Sequence, residues 1–310
     1  MPQALLPRVL VTGADGLVGQ ALVRHLSGWD DCDILATGLD QEPRATTRSG
    51  GYTPLDVRDP DAVEELFLDF GPTTVVHCAA MSRVETCEDD REAAWETNVD
   101  ATADLAARCH RHGARMVFLS TDFLFDGTAG PYAEDANPRP VNYYGRTKLA
   151  AENAVRASRL RRWAIVRTSM VYGNGDSLRR YNLATLVARA LKGSERFAAP
   201  ADQWRTPTYA PDLAGGIGRV LRYGKYGVFN LSGRESMTAY DFARLAAAAF
   251  GGNPDGVTPT TTDALHPGFP RPLRAGLVIL RAQAELGYRP RATAEALAHM
   301  AAQPGRPVSA

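Results

Sequence analysis

The sequence predicts an α/β protein with a doubly wound parallel sheet and a smaller C-terminal lobe. Short apolar runs alternate with helical patterns at the spacing of β-α-β units. The runs are nearly continuous in apolar residues, as in strands that are buried on both faces. A glycine-rich turn also joins the first run to the first helix. Such sheets bind ligands beyond the carboxyl ends of their strands.

Each element follows from a local pattern. Asp59 is a suitable N-cap and Pro60 a suitable first residue for a helix that ends at Gly71. Thr238 opens a later helix, with Asp241 at the capping-box spacing. One long helix is predicted between residue 80 and Gly113. The predicted strands are residues 8–12, 33–39, 73–80, 115–120 and 163–169, and a further helix runs from Tyr143 to about Arg159.

Composition and charge restrict the class of protein. The 310 residues include 35 basic and 35 acidic ones, so no overall charge favours nucleic acid or an anionic membrane. No apolar run is long enough to span a bilayer. The four cysteines lack the spacing of a metal site or a disulfide framework, and the N-terminus lacks a secretion signal core. We therefore expect a cytoplasmic protein without a metal centre.

The turn "TGADGLVG" predicts a dinucleotide-binding site. Gly13 allows the tight turn, Gly16 lets a pyrophosphate approach the backbone, and Gly19 lets helix and strand pack closely. The helix that begins at Leu17 and Val18 offers N–H groups and partial positive charge to the phosphates. A tight strand–helix turn without a ligand is the alternative interpretation of the glycines alone.

The ends of the second and third strands bear on the choice of cofactor. Asp40 can accept hydrogen bonds from the adenosine ribose, which favours NAD. Arg44 and Arg48 can hold a 2′-phosphate, which favours NADP. Asp56 can bind the adenine amino group, or it can be a turn residue. The sequence leaves NADH and NADPH as alternatives.

The stretch "NYYGRTK" contains a candidate proton donor. Tyr144 and Lys148 are four residues apart, so they share one face of a helix. An ammonium near a phenol lowers the pKa of the phenol toward the working pH of a general acid. Tyr143 has only Thr147 at the same spacing. An exposed helical pair without a catalytic role is the alternative.

A hydroxyl group at the end of the strand over 115–120 supports the catalytic interpretation. Ser120 and Thr121 lie where a parallel sheet places its ligand, and either hydroxyl can donate a hydrogen bond to a carbonyl. A hydroxyl satisfied by nearby backbone is the alternative.

Several motifs together resemble the extended short-chain dehydrogenase/reductases, and most closely their dTDP-4-dehydrorhamnose reductase branch. The resemblance extends over residues 8–175 and again over 202–214. The motifs are, in chain order, "TGADGLVG", "VVHCAAMS", "ETNVD", "FLSTDFLFDG", "YGRTK", "VRTSMVYG" and "DQWRTPTYAPDLA".

The resemblance implies the roles of the site residues. Tyr144 is the general acid, Lys148 tunes it and binds the nicotinamide ribose, and Thr121 polarises the carbonyl, with Ser120 as a second candidate. The implied cofactor site comprises Gly13, Gly16, Leu17, Val18, Gly19, Asp40, Asp56, Val57, Ala79, Ala80, Met81, Asn98, Tyr144 and Lys148. The implied substrate site comprises Ser82, Thr121, Asp122, Phe123, Tyr144, Met170, Trp204 and Arg205.

The chain departs from this branch near the expected sugar. Met170 stands where the family motif usually has tryptophan. Trp204 can supply the missing aromatic face, and Arg205 can pair with a diphosphate. A packed loop anchor and a solvated charge are the alternatives for these two residues.

The resemblance also implies a domain division and a function. Residues 1–172 are expected to form the dinucleotide-binding Rossmann domain and residues 173–310 mainly the substrate lobe, with residues 205–232 returning to the first domain. Residues 252–272 are expected to be an ordered loop or lid, or a disordered connector, and the final residues a loose tail.

The expected activity is NAD(P)H-dependent reduction of a nucleotide-linked 4-keto-6-deoxy sugar by a protein that can pair as a homodimer. Two alternatives remain. One is an epimerase or dehydratase, although a dehydratase usually has a glutamate after Asp122 and this chain does not. The other is a non-catalytic subunit similar to the regulatory subunit of methionine adenosyltransferase.

Overall fold

The computed structural model describes residues 7–44, 51–192 and 196–303. Arg48, Gly193 and the tail from residue 304 lie outside these ranges, as do the first six residues. The strands of the described ranges are β1 (Arg8–Thr12), β2 (Asp33–Gly38), β3 (Tyr52–Pro54), β4 (Thr74–His77), β5 (Arg115–Thr121), β6 (Trp163–Thr168), β7 (Val171–Tyr172), β8 (Phe197–Pro200), β9 (Trp204–Arg205), β10 (Thr208–Tyr209), β11 (Gly227–Asn230), β12 (Met237–Thr238) and β13 (Val257–Thr260).

The α-helices lie between and after these strands. In the described ranges they are α1 (Leu17–Leu26), α2 (Pro60–Phe70), α3 (Val84–Asp89), α4 (Arg91–Trp95), α5 (Ala101–Arg111), α6 (Tyr143–Ala157), α7 (Leu183–Lys192), α8 (Ala210–Arg222), α9 (Ala239–Ala249), α10 (Thr262–Leu265), α11 (Leu280–Leu286) and α12 (Thr293–Ala302).

The central sheet has the order β3-β2-β1-β4-β5-β6-β11, and all its pairs are parallel. The chain therefore starts in the middle of the sheet, builds one half outward and then crosses to the other side of β1. The strands carry apolar side chains into a core on each face, so helices cover both sides. The predicted doubly wound parallel sheet is confirmed.

The capping signals place the helices as predicted. The Asp59 side chain accepts hydrogen bonds from two N–H groups at the start of α2, and Gly71 ends that helix in the left-handed conformation. Thr238 and Asp241 form a capping box at α9. The strand over 115–120 and the helix from Tyr143 are confirmed as β5 and α6.

The prediction of one long helix before Gly113 is wrong. Asp90 ends α3 and its side chain caps α4 through the N–H of Ala93, so the chain restarts its helix there. A five-residue π-helix, Glu96–Asp100, then separates α4 from α5. The strand predicted over 73–80 is also shorter, because the chain leaves the sheet after His77.

The C-terminal half divides between two cores. β11 is the outermost strand of the central sheet, and α8 and α11 pack in the core that contains α1. A separate core joins α7, α9 and α12 to the pair β8–β13. Residues 252–272 are ordered and contain β13 and α10, as the ordered-loop alternative predicted. None of the described helices combines the length and hydrophobicity needed to cross a bilayer.

Candidate active site

A cleft of about 1130 Å³ lies along the carboxyl ends of β1, β4 and β5. Strand order reverses between β1 and β4, which is where open α/β sheets bind their ligands. The N-terminus of α1, the start of α6 and the segment after β7 also contribute to its wall. The cleft therefore receives residues from both halves of the chain.

The glycine turn forms one end of this cleft and fits a dinucleotide. Gly13 has φ +67°, and a Cβ at this position would lie 2.5 Å from the backbone nitrogen of Ala79. Gly16 is the N-cap of α1. It has no side chain that could accept a hydrogen bond from the first backbone N–H groups of the helix, among them those of Leu17 and Val18. These N–H groups remain free to bind a phosphate.

The adenosine end contains acidic side chains that are already paired. Asp40 accepts from Arg44 and from Arg179, and chiefly the bond from Arg44 lowers the pKa of Asp40. Asp56 pairs with Arg58 at 2.6 Å, and this bond likewise lowers the pKa of Asp56. The end that was expected to choose between NAD and NADP thus contains both acids and arginines.

Tyr144 lies at the other end of the cleft, at the start of α6. The phenyl ring of Phe123 packs edge-on against it, with ring centroids 5.7 Å apart. Burial raises the pKa of Tyr144 to about 12, and the neighbouring hydroxyl of Thr121 offsets part of this rise. The phenol is therefore protonated at neutral pH.

Burial of the phenol outweighs every opposing effect on the pKa of Tyr144. Lys148 is itself buried, and its Nζ lies 4.0 Å from the centroid of the Phe118 ring. Burial lowers the pKa of Lys148 to about 7, while the charge of Glu152 opposes this change. The lysine is thus close to half-charged at neutral pH.

Thr121 is the hydroxyl beside the tyrosine. Its Oγ1 accepts from the N–H of Phe123 at 3.2 Å, and its hydroxyl donates to Oδ1 of Asp122 at 3.4 Å. Ser120 is fully buried on the side of Glu152. Both Ser120 and Thr121 line the cleft, and the hydroxyl of Ser120 has no hydrogen-bond partner among the described residues.

Asp122 is held within a buried network. Its carboxylate accepts from the hydroxyl of Ser169 at 2.6 Å and from the N–H of Gly276 at 3.2 Å, and it lies 3.5 Å from Nε of Arg205. Arg205 is 1% exposed and also donates to the carbonyl of Pro272 at 2.8 Å. With this geometry, Asp122 joins the end of β5 to the C-terminal half.

The structure places Trp204 and Arg205 outside the wall of the cleft, contrary to the substrate contacts expected of them. The guanidinium of Arg205 is committed to Asp122 and to backbone carbonyls. Trp204 lies in β9, where its backbone N–H donates to the backbone carbonyl of Leu273 at 2.6 Å. Both residues anchor the loop around residue 273.

Met170 is part of the cleft wall, whereas Asn98 is not. Met170 lines it and has φ +37°, a conformation that costs free energy for a residue with a long side chain. Asn98 lies behind the wall in the π-helix, where its side chain bonds both backbone polar groups of Met81 at 2.9 Å. Asn98 therefore holds a wall residue in place.

Most predicted residues do share the cleft. Its wall contains Gly13, Gly16, Leu17, Val18, Gly19, Asp40, Asp56, Val57, Ala79, Ala80, Met81, Ser82, Thr121, Asp122, Phe123, Tyr144, Lys148 and Met170. Other wall residues follow no local sequence pattern, among them Asp15, Arg58, Arg83, Arg179, Arg180, Tyr181 and Arg271. Within the described ranges, no cluster of three or more metal-ligating side chains is present.

Fold and site are those of an extended short-chain dehydrogenase/reductase, an NAD(P)H-dependent class of oxidoreductase. Over residues 7–305 the chain matches the family model described as RmlD substrate binding domain, and it belongs to that family. The family resemblance and the enzyme class predicted from the motifs are confirmed.

Named relatives include reductases and a subunit of another enzyme. The chain is 37% identical to the dTDP-4-keto-6-deoxy-D-glucose reductase of Streptomyces niveus over 266 residues. The aligned region covers 86% of this chain and 86% of that protein. It is 35% identical over 252 residues to methionine adenosyltransferase 2 subunit beta of Bos taurus, covering 78% of this chain and 72% of that one. The dTDP-4-dehydrorhamnose reductase of Bacillus anthracis, solved in complex with NADP, superposes with a TM-score of 0.84 at 26% identity, over 96% of this chain and 99% of that one.

Proposed function

We propose that the protein reduces the keto group of a nucleotide-linked 4-keto-6-deoxy sugar, using NADPH or NADH. The observation that carries the proposal is Tyr144. It lies in the cofactor cleft beside Thr121 and keeps its proton at neutral pH. The relative from Streptomyces niveus, a dTDP-4-keto-6-deoxy-D-glucose reductase, supports this substrate class.

Different residues of the cleft would bind different parts of the dinucleotide. The first turn of α1 would hold the pyrophosphate, and Asp40 and Asp56 would hold the adenosine half. Ala79, Ala80 and Met81 follow β4 and would line the nicotinamide half. When bound, the nicotinamide supplies a hydride to the keto carbon.

The protein supplies the proton and stabilises the developing charge. As the keto oxygen gains negative charge, Tyr144 donates its phenolic proton to it. The hydroxyl of Thr121 donates a hydrogen bond to the same oxygen. Lys148, one helical turn after Tyr144, stabilises the phenolate that remains. The raised pKa keeps this proton on Tyr144 until the keto oxygen becomes basic enough to accept it.

Asp122 argues against a dehydratase. Dehydration requires a carboxyl group that can give its proton to a leaving hydroxyl. The carboxylate of Asp122 is instead held by Ser169, Gly276 and Arg205. Stoichiometric consumption of NADH or NADPH would exclude both a dehydratase and an epimerase, since these retain their cofactor unchanged over a cycle.

Replacing Tyr144 with phenylalanine tests the proposal. The variant retains the ring packing against Phe123, so it should unfold at the same temperature as the wild type. Loss of a general acid should lower kcat by about 10²- to 10⁴-fold. The assay mixes protein, NADH or NADPH and a panel of 4-keto-6-deoxy sugar nucleotides, and follows nicotinamide absorbance and the sugar product. Turnover near that of the wild type would reject the role of Tyr144.

The relationship to methionine adenosyltransferase 2 subunit beta supports one alternative, a regulatory subunit. Such a protein would be recovered with a stoichiometric partner in a pull-down and would reduce none of the sugars in the panel. The proposal favours catalysis because the threonine, tyrosine and lysine are all present in the cleft.

A cytoplasmic location and a homodimer belong to the same proposal. All four cysteines are free thiols, which suits a reducing compartment. A dimer is consistent with the family, and sedimentation of the purified protein measures it directly.

A further inference from the structure

A carboxylate is buried behind the cleft, one helical turn beyond Lys148. Tyr144, Lys148 and Glu152 follow one another at four-residue spacing on α6, so the three side chains share one face of the helix. Tyr144 and Lys148 line the cleft, whereas Glu152 lies behind its wall and is 0% exposed. Burying a charged carboxylate costs free energy unless it is paired and hydrogen-bonded. The partners of Glu152 therefore determine whether it is charged.

Two arginines hold Glu152 in its ionised form. Arg167 on β6 donates to its carboxylate from Nε at 2.9 Å and from Nη2 at 2.8 Å, and Arg156 on α6 donates from Nη2 at 2.6 Å. Burial raises the pKa of Glu152, but the hydrogen bonds and charge of Arg167 outweigh burial and lower this pKa below its ordinary value. Arg167 also donates to the backbone carbonyl of Glu134 at 3.0 Å. Glu152 is therefore a fixed negative charge at neutral pH.

Lys148 has no direct ionic partner. Within the described ranges its ammonium takes part in no hydrogen bond or ion pair, and its Nζ lies over the ring of Phe118. Burial lowers the pKa of Lys148 to about 7, and the charge of Glu152 is the largest of the effects that oppose this fall. The protonation of the lysine thus depends on a carboxylate that does not touch it.

The other titratable groups packed around Lys148 are uncharged at neutral pH. They come from the end of β4, from α3 and from α6, and they are His77, Cys78, Cys87 and Tyr144. Burial lowers the pKa of the histidine to about 3 and raises the pKa of each thiol and of the phenol to about 12. Among the groups that act on Lys148, the negative charge is therefore that of Glu152.

The protonation of Lys148 responds strongly to a neighbouring charge. A group whose pKa lies near the working pH is part charged and part neutral, so a small change in local potential changes its charged fraction considerably. In the proposed mechanism, only the ammonium form of Lys148 stabilises the phenolate of Tyr144. The fraction of active protein at neutral pH then depends on the charge behind the cleft.

We propose that Glu152 is a positioning residue for the reaction: its charge, held in place by Arg167 and Arg156, keeps Lys148 in the ammonium form that stabilises the phenolate. The effect is electrostatic and acts through the lysine, because Glu152 does not line the cleft. The catalytic consequence rests on the proposed reductase function. The control of the charge on Lys148 rests on the contacts of Glu152 alone.

Nuclear magnetic resonance of the full chain measures the charge on Lys148 without an activity assay. The chain has three lysines, at positions 148, 192 and 225, so labelling lysine with ¹³C at Cε gives three side-chain signals. Lys148→Met assigns the signal of Lys148 by removing it. Titration of the labelled protein from about pH 5 to about pH 10 then gives the midpoint for Lys148. The signals of the two other lysines should be the same in every variant.

Two variants should move this midpoint in opposite directions. Glu152→Gln removes the negative charge and leaves two arginines, so the midpoint should fall by about one pH unit or more. Arg156→Gln removes one cation from the carboxylate while Arg167 still holds it, so the midpoint should rise. Glu152→Asp keeps the charge, and its midpoint should lie between those of Glu152→Gln and the wild type. The matched control is Arg146→Gln, an exposed arginine on the same helix, which should leave the midpoint unchanged.

A role confined to packing predicts a different result. If Glu152 only joined α6 to β6, Glu152→Gln would lower the unfolding temperature and keep the wild-type midpoint, and this outcome would overturn the proposal. Arg156→Gln keeps the test decisive if Glu152→Gln does not fold, because the side chain of Arg156 is 32% exposed and its removal leaves the Arg167 pair intact. A midpoint in Arg156→Gln at or below that of the wild type would also overturn the proposal.

The pH dependence of kcat separates this proposal from the reductase proposal. With a keto sugar that the wild type reduces, kcat of Glu152→Gln should be about five- to tenfold lower between about pH 7 and pH 8. It should approach that of the wild type toward about pH 5, where Lys148 is charged in both proteins. If the midpoint moves as expected and no keto sugar is reduced, the role of Glu152 stands and the reductase proposal fails. If the wild type turns over and neither variant changes the midpoint or the pH profile, the reductase proposal stands and the role of Glu152 fails.

Discussion

At the scale of single residues, burial sets the protonation of two side chains in the cleft. The phenol of Tyr144 and the ammonium of Lys148 both lose water in the cleft, and each is driven toward its neutral form. The result is a tyrosine that holds a proton to donate and a lysine that titrates near neutral pH. Neither property follows from the spacing of the two residues alone.

The lowered pKa of Lys148 predicts a pH-dependent stability. The pKa is about 7 in the folded chain against 10.5 for an ordinary lysine, so between these values the unfolded chain binds more protons. Stability should therefore rise with pH across this window. Lys148→Met removes this contribution and should be more stable than the wild type near pH 7, with a difference that shrinks toward about pH 10.

Urea unfolding at a series of pH values measures this difference. Lys225→Met is the control, because Lys225 lies near the surface and pairs with Glu285. It should show the same pH dependence as the wild type. An unchanged pH dependence in Lys148→Met would contradict the buried state of Lys148.

At the scale of elements, a chain of buried hydrogen bonds joins β1 to α6. The ring of His77 lies between the hydroxyls of Thr12, at 2.7 Å, and Thr102, at 3.1 Å. Thr102 donates to the carbonyl of Asn98 in the π-helix, and Asn98 donates to Thr147 at 3.0 Å. The hydrogen bonds thereby hold β1, the π-helix and α6 in register, because the polar groups of this buried network are paired with one another.

Asn98→Ala should disturb this chain. The asparagine is 1% exposed and makes three hydrogen bonds, two to Met81 and one to Thr147. Their loss should destabilise the fold by about 2–3 kcal/mol. Because Met81 lines the cofactor cleft, the KM for the nicotinamide cofactor should also rise. Urea unfolding and steady-state kinetics measure the two effects.

The control for this prediction is Asn153→Ala, which changes an exposed asparagine on α6. It should change neither stability nor KM appreciably. If Asn98→Ala were as stable as this control, the π-helix would not depend on the hydrogen bonds of Asn98.

At the scale of the whole molecule, Asp122 and Arg205 connect the sheet to the C-terminal half. Both are almost fully buried, and the network around them joins β5, β6, β9 and the loop at Gly276. Removing one partner of a buried ion pair leaves an uncompensated charge, which costs more than the pair itself contributes. We therefore expect this pair to stabilise the packing of the C-terminal half against the central sheet.

Arg205→Met should lower stability by about 3–5 kcal/mol, because the carboxylate of Asp122 would remain buried without its cation. Adding Asp122→Leu should recover part of that loss, since the double variant buries no charge at this position. Arg222→Met, which removes an exposed pair with Asp31, should cost less than about 1 kcal/mol. Urea unfolding measures these losses. Equal losses for Arg205→Met and Arg222→Met would contradict the claim that the Asp122–Arg205 pair stabilises the connection between the sheet and the C-terminal half.

Much of the fold and of the cleft was predictable because it depends on short-range patterns. The glycine turn, the capping residues of α2 and α9, and the shared face of Tyr144 and Lys148 are each set within a few residues. The break between α3 and α5 was missed, since the π-helix is stabilised here by hydrogen bonds from Asn98 to Met81 and Thr147, which belong to other segments. The wall positions of Arg179 and Arg271 could not be predicted, because they depend on which segments of the folded chain meet at the cleft.

By itself, the sequence determined the doubly wound sheet, the phosphate-binding turn and the family of the chain, because periodicity and motif spacing are local properties. Only the tertiary structure decided the state of the charges. It buried Arg205 against Asp122, left Arg180 facing the cleft and raised rather than lowered the pKa of Tyr144. Burial and distance between remote residues set these properties, and neither can be read from spacing along the chain.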